Sequence, residues 1–216
     1  MIRKLLNYDY RGIFFTVIDR NRSNFNILFF NKIIHLICYC KGMKLGKGVI
    51  FNGNPRVRRH HNSTIYLGNE CRFNSSLNSI IIGLYQPCSF VTFRDDSEII
   101  FGNNCGASGL TIVAVTKIHI GNNVLIGANC TIVDTDFHHQ DLQKRKQDII
   151  PARPIKIEDN VFIGFHCFIL KGVTIGKNSV IGANSVVITD IPENSVAIGN
   201  PCKVIFKKNN PNQTIG

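Results

Sequence analysis

Residues 134–141 read Asp-Thr-Asp-Phe-His-His-Gln-Asp, two spaced acids followed by adjacent histidines. Three chemistries fit those residue types. In an extended strand Asp134, Asp136 and His138 would project to one side, and carboxylate with imidazole suits several divalent ions. A single imidazole can instead act as a general base, because it is half-titrated at about pH 6.5, with a neighbouring acid orienting the ring. The third reading is a polar loop that carries imidazoles without using them. Three ligands packed so closely in sequence rarely surround an ion unaided, and no second cluster is evident from the sequence, so no metal is expected.

What must position this stretch is a six-residue period. An aliphatic residue recurs at Ile157, Ile163, Ile169, Ile175, Ile181 and Val187, and the same register runs through Ile120, Ile126 and Ile132. Gly follows at 121, 127, 164, 176 and 182, and Val124, Cys130, Val161, Cys167, Val173, Ser179 and Ser185 fall four places on. Fainter copies sit at Leu45-Gly46, Leu67-Gly68, Ile82-Gly83 and Phe101-Gly102. A strand alternates every two residues and a helix about every 3.6, so a strict period of six means short strands joined at fixed bends. Gly121-Asn122-Asn123 and Gly176-Lys177-Asn178 suit the bends, since Gly and Asn tolerate left-handed backbone. One such unit cannot bury its aliphatic side, but stacked coils can, around a column of Ile and Val. The period breaks once in an informative place, between Ile132 and Ile157. There the polar stretch at about 134–155 reads as an excluded loop and not as a missing strand.

The run Ile-Gly-x-Asn-x-x-Ile-Gly-Ala, and the closing Thr-Asp-Ile-Pro-Glu-Asn-Ser-Val-Ala-Ile-Gly-Asn-Pro-Cys-Lys-Val-Ile at 189–205, resemble the hexapeptide-repeat acyltransferases. That family includes the galactoside and maltose O-acetyltransferases, and the resemblance covers roughly residues 65–206. It implies an all-β solenoid, a left-handed parallel β-helix of triangular section with three hexads per coil, assembling as a homotrimer. It also implies acetyl-CoA as co-substrate and a sugar or glycan hydroxyl as acceptor. In the family a histidine followed by proline occupies the loop at this point. His138 falls on that histidine, and His139 stands where the proline would be. The resemblance makes His138 the general base. Such a base needs an orienter, and Asp136 or Asp134 could serve, or cap the turn; Asp136 is taken as the orienter and Asp134 as an acceptor contact. Ser108, in Cys-Gly-Ala-Ser-Gly-Leu-Thr-Ile at 105–112, stands near a polar acceptor contact of the family. Phe165, Ala183 and Ile188 fall on the groove that holds the CoA arm between neighbouring subunits, and Lys203, with Lys207 beyond it, would meet phosphate. N-acetylation of an amino-sugar nucleotide differs from this reading only in the attacking atom. A non-catalytic or metal-binding β-helix is the alternative from another class.

The 216 residues suit one main body with a small terminal appendage, and 44% hydrophobic against 18% charged residues suits a folded chain. The formal charge of +11 is uneven: residues 1–60 hold twelve Lys/Arg and two acids, and the rest hold thirteen and twelve. That division sets a basic, partly helical segment at 1–60, the β-helix at 61–206 and a tail at 207–216. No recognition motif accompanies the basic patch, so nucleic acid is not an expected partner. The eight cysteines lie in aliphatic runs and read as small buried hydrophobes in a reducing compartment. No leader pattern follows Arg3 and Lys4. A helix from Phe25 to Cys40 would carry Asn24, Asn31 and His35 on a narrow polar stripe beside a broad apolar face. It is too short and too interrupted to span a bilayer. Two uses fit it: a cap over the solenoid end, or a peripheral membrane contact made by residues 1–60, including Arg-Val-Arg-Arg-His-His at 56–61. The expected location is cytoplasmic, at the inner membrane surface where that contact is made.

Overall fold

The computed structural model describes residues 30–77, 82–146 and 150–207. Its strands form three sheets, the faces of a coiling prism. Sheet A stacks β1 (Lys44–Leu45), β4 (Thr64–Leu67), β7 (Glu98–Phe101), β10 (Lys117–Ile120), β13 (Ile155–Ile157) and β16 (Thr174–Ile175). Sheet B stacks β2 (Ile50–Asn52), β5 (Arg72–Asn74), β8 (Gly106–Ser108), β11 (Leu125–Ile126), β14 (Phe162–Ile163) and β17 (Val180–Ile181), closed by β19 (Ser195–Ile198) and β20 (Lys203–Lys207). Sheet C stacks β3 (Arg56–Arg58), β6 (Ser89–Thr92), β9 (Thr111–Ala114), β12 (Thr131–Val133), β15 (Phe168–Ile169) and β18 (Val186–Val187). Pairing is parallel except for the terminal β19–β20 pair.

The period maps directly onto this prism. Leu67, Phe101, Ile120, Ile157 and Ile175 end successive sheet A strands, Ile126, Ile163 and Ile181 lie on sheet B, and Ile132, Ile169 and Val187 lie on sheet C. All are buried, and together they form the expected central column. In the lower coils the column changes from Ile to Phe. Phe73 stacks on Phe51 at 5.8 Å between ring centroids and meets Phe90 and Phe101 edge-on at 5.2 and 5.3 Å. One corner is held by an asparagine ladder, in which Asn104, Asn123, Asn160, Asn178 and Asn194 all take positive φ and each amide donates to the next at 2.9–3.2 Å.

Two expectations are corrected, and on a third, the use of the helix, the contacts support the cap. The coils begin at Lys44, not at residue 61, because Arg56 and Arg58 point outward from β3 while Val57 fills the core, so basic character does not mark the edge of the repeat. The chain makes a second excursion from the prism, between Asn74 and Ser89. Ile82-Gly83 belongs to it, with Ile82 exposed, and is not a copy of the repeat. The third concerns α1, residues 30–40. The described residues of its polar stripe face the solenoid: Asn31 accepts from Phe51 N at 2.8 Å and donates to Val49 O, and His35 Nε2 lies 2.8 Å from Val49 O. The first coil has no coil beneath it, so its backbone groups need side-chain partners. Ile34 and Cys38 are buried on the same side, and α1 therefore caps the end. Asn24 and the helix start at Phe25 lie outside the described residues.

Candidate active site

The chain leaves sheet C after Val133 and rejoins sheet A at Ile155, so the excursion springs from the corner between those sheets. Its base is a clasp. Thr135 bridges Ala152, Asp136 N donates to Pro151 O at 3.1 Å, and Arg153 N donates to Asp134 O at 2.9 Å. Beyond it Asp141 Oδ1 accepts from Lys144 N at 3.0 Å and caps the short α2, Leu142–Lys146.

Asp134 is fully buried. Its Oδ1 accepts from Val115 N at 2.7 Å, and its Oδ2 accepts from Thr116 N and Thr116 Oγ1 at 2.6 and 2.7 Å. Both oxygens are engaged in tying the loop to the coil below, which corrects the expectation that Asp134 reaches the acceptor. Asp136 sends its carboxylate to Lys171 Nζ in an ion pair. It is not hydrogen-bonded to the His138 ring, which corrects its expected role as orienter. The reason lies between them: Phe137 has φ 61°, a costly left-handed turn for an aromatic residue, and it breaks the alternation that would have put 134, 136 and 138 on one side. The three-ligand reading of this stretch falls with it.

The adjacent histidines separate by role. His139 Nδ1 accepts from Asp141 N at 3.0 Å, and its carbonyl accepts from Arg145 Nε at 3.0 Å, so it is tied within the loop. His138 is exposed, and among the described residues its ring has no hydrogen-bond partner. It lines a cavity of about 550 Å³ with Phe93, Arg94, Phe137, His139, Arg145 and Ile150. Phe93 and Arg94 come from the turn after β6, two coils below the loop, a contribution that nothing in the repeat pattern signals. An exposed imidazole on the wall of a partly apolar cavity, with two arginines nearby, can take a proton from a hydroxyl and hold a polar acceptor against the loop.

Ser108 is on β8, half-buried, where its hydroxyl accepts from Asn74 Nδ2 at 3.0 Å, and it is not among the cavity-lining residues. Phe165 and Ala183 sit one above the other at the corner between sheets B and C, with Asn184 N donating to Phe165 O at 3.0 Å. Ile188 follows β18 at the opposite edge of sheet C, whose outer face carries Phe168 and Val186 between them. Phe165, Phe168 and Ile188 are exposed, as are Lys203 and Lys207 on β20. The proposed groove residues thus span the outer face of sheet C and do not converge on one point of a single chain.

A profile described as the hexapeptide repeat of succinyl-transferase matches residues 117–133, 154–189 and 172–204. The galactoside O-acetyltransferase of Escherichia coli K12 is 48% identical over 122 residues, spanning 55% of this chain and 59% of that protein. The galactoside O-acetyltransferase of Lactococcus lactis is 43% identical over 125 residues, spanning 57% and 59%. The chain thus spans less than two thirds of the length of these curated relatives. Among solved structures, a maltose O-acetyltransferase from Clostridium difficile 630 is 32% identical with a TM-score of 0.51, covering 77% of this chain and 70% of that one.

Proposed function

The chain belongs to the hexapeptide-repeat acyltransferases, and from that premise we propose that it transfers an acetyl group from acetyl-CoA to a hydroxyl of a sugar or glycan, with His138 as general base. Its three-faced coil is the left-handed parallel β-helix of that family. The observation that carries the reading is the division between the two histidines: His139 is tied into the loop, and His138 alone offers a ring without a partner among the described residues to the cavity. His138 takes the hydroxyl proton as the acceptor oxygen bonds to the thioester carbon. The carbon–sulfur bond then breaks, and the proton passes to the departing sulfur. The acetyl thioester supplies the activated acyl group. Phe165, Ala183 and Ile188 would hold its apolar arm and Lys203 a phosphate. Phe165 and Ala183 lie at one edge of sheet C, Ile188 at the other and Lys203 on sheet B, a separation that supports a groove completed by neighbouring copies and hence a trimer. His138→Ala should lower turnover by about 10²–10⁴-fold with CoA binding retained, whereas His139→Ala should keep most activity. An active His138→Ala enzyme would overturn the assignment.

A second reading concerns location, and the outer face of α1 favours it. Phe30, Ile33, Leu36 and Cys40 are exposed there, with the exposed Lys32, Lys41, Lys44 and Lys47 around the same end. No helix among the described residues is long and apolar enough to cross a membrane. We propose that this face rests on the anionic inner membrane surface, where apolar side chains enter the interface and lysines meet headgroups. Ile33→Asp with Leu36→Asp should abolish flotation with anionic liposomes. Unchanged flotation would refute the contact.

A further inference from the structure

Two turns at the corner between sheets C and A bring together residues that are far apart in the chain. His60 and His61 lie in the turn after β3, and Asp95 lies in the turn after β6, one coil above. His60 Nδ1 stands 3.4 Å from Asp95 Oδ1, His61 Nε2 stands 3.9 Å from the same oxygen, and one ligand atom from each residue lies within 4.8 Å of the others. The imidazole rings lie against each other, 4.2 Å between centroids.

Both turns are pinned by their backbones. His60 N donates to Thr92 Oγ1 at 3.1 Å, Ser63 Oγ bonds His60 O at 2.7 Å and lies 2.6 Å from Thr92 Oγ1, and Asp96 N donates to Asn62 O at 3.0 Å. The adjacent Arg59 is engaged elsewhere, its guanidinium donating to the carbonyls of Lys41, His61 and Ser63. Within this fixed frame His60 Nδ1 is buried without a hydrogen-bond partner, although it faces a carboxylate. A buried ring nitrogen left unsatisfied is destabilising, and one cation between nitrogen and carboxylate would satisfy both.

From this geometry we propose that His60, His61 and Asp95 bind a late first-row divalent cation of the zinc type, clasping the two turns together. Two imidazole nitrogens and one carboxylate oxygen match the ligand preference of such ions, whereas calcium and magnesium favour all-oxygen sets. Ligands bound at about 2.0–2.2 Å in a tetrahedral site stand roughly 3.4 Å apart, so His60 and Asp95 are already spaced for it. His61, with its side chain 75% exposed, closes the remaining gap by rotation. The ion takes no part in acyl transfer. Its effect falls on the neighbouring Phe93 and Arg94, which line the His138 cavity.

The test is metal binding by the chelator-stripped full chain, using Zn²⁺ in calorimetry and Co²⁺ for its visible absorption bands. One ion per chain should bind, and the melting temperature should rise with it. His61→Ala, at an exposed position, should weaken Zn²⁺ binding by about tenfold or more while the stripped protein melts as before. His60→Ala and Asp95→Asn should abolish the Co²⁺ bands, and His138→Ala should leave them unchanged. No binding by the intact chain overturns the clasp. So does binding that survives Asp95→Asn and His61→Ala, or binding lost in His138→Ala, which would move the ion to the loop.

Discussion

Replacing Asp134 distinguishes a loop anchor from a substrate contact. Its carboxylate accepts three hydrogen bonds of 2.6–2.7 Å at zero exposure, two of them from backbone N–H groups of the coil below. Asp134→Ala strands the buried Val115 amide, at about 1–3 kcal/mol, and the half-buried Thr116 amide, at about 1–2 kcal/mol, so the loss should be about 2–5 kcal/mol. For a chain of this size that is roughly 5–20 °C in melting temperature. Asp134→Asn keeps one acceptor oxygen and turns an NH₂ toward a donor, so it should fall between wild type and Ala. Thr116→Val removes only the hydroxyl bond and should cost about 1 kcal/mol. Scanning calorimetry on the three variants gives the order directly. If Asp134→Asn melts with the wild type while its acceptor KM alone rises, Asp134 contacts substrate and its burial has been misjudged.

Three further perturbations probe the scaffold. A Cβ at Gly127 would lie 2.5 Å from Phe165 N on the next coil, a backbone neighbour that cannot move alone, so Gly127→Ala should cost about 1–3 kcal/mol or more in a denaturation curve. Glu98 is held below the usual carboxylate range, first by its hydrogen bond with His119 and then by Lys117. Its contribution is therefore present at neutral pH and lost as pH falls through the depressed value. Glu98→Gln should sit within about 1 kcal/mol of wild type at pH 7, and the two stability curves should converge in acid. Cys40 is exposed and the other seven cysteines are buried, with burial pushing the Cys38 thiol up to about 11 and also raising Cys88. A thiol reagent should modify Cys40 rapidly in the native protein and the rest only on unfolding, and Cys40→Ser should remove the fast phase.

The coil was legible because its cause is local. Each hexad states its own inward residue, as Ile157, Ile163 and Ile169 do, and each Asn at a left-handed bend states where the strand ends. Stacking then follows, since every unit has the same unburied side. The lower coils were harder to read. Phe51, Phe73, Phe90 and Phe101 take the places of Ile and are larger, and the excursion between Asn74 and Ser89 interrupts the count, so the register fades where the core in fact continues.

The site was legible only as far as its position along the chain. A polar break in a repeat marks an excluded loop, and two histidines in it mark a candidate base, but the division of roles depends on partners that periodicity does not carry. Asp136 and His138 are two residues apart and would share a side in any extended strand; the positive φ of Phe137 separates them, and a non-glycine residue gives no warning of that angle. Asp134 looked like a member of the same polar group and is instead a buried staple, because Val115 and Thr116 present amides at a corner where the chain above has left the sheet. The same reasoning accounts for Asp95. In sequence it is an unremarkable acid in a turn, yet one coil of rise places it over His60 and His61. In a solenoid, chemistry that lies across coils is set by how many residues each turn inserts between strands, and those insertions are where the six-residue period falls silent.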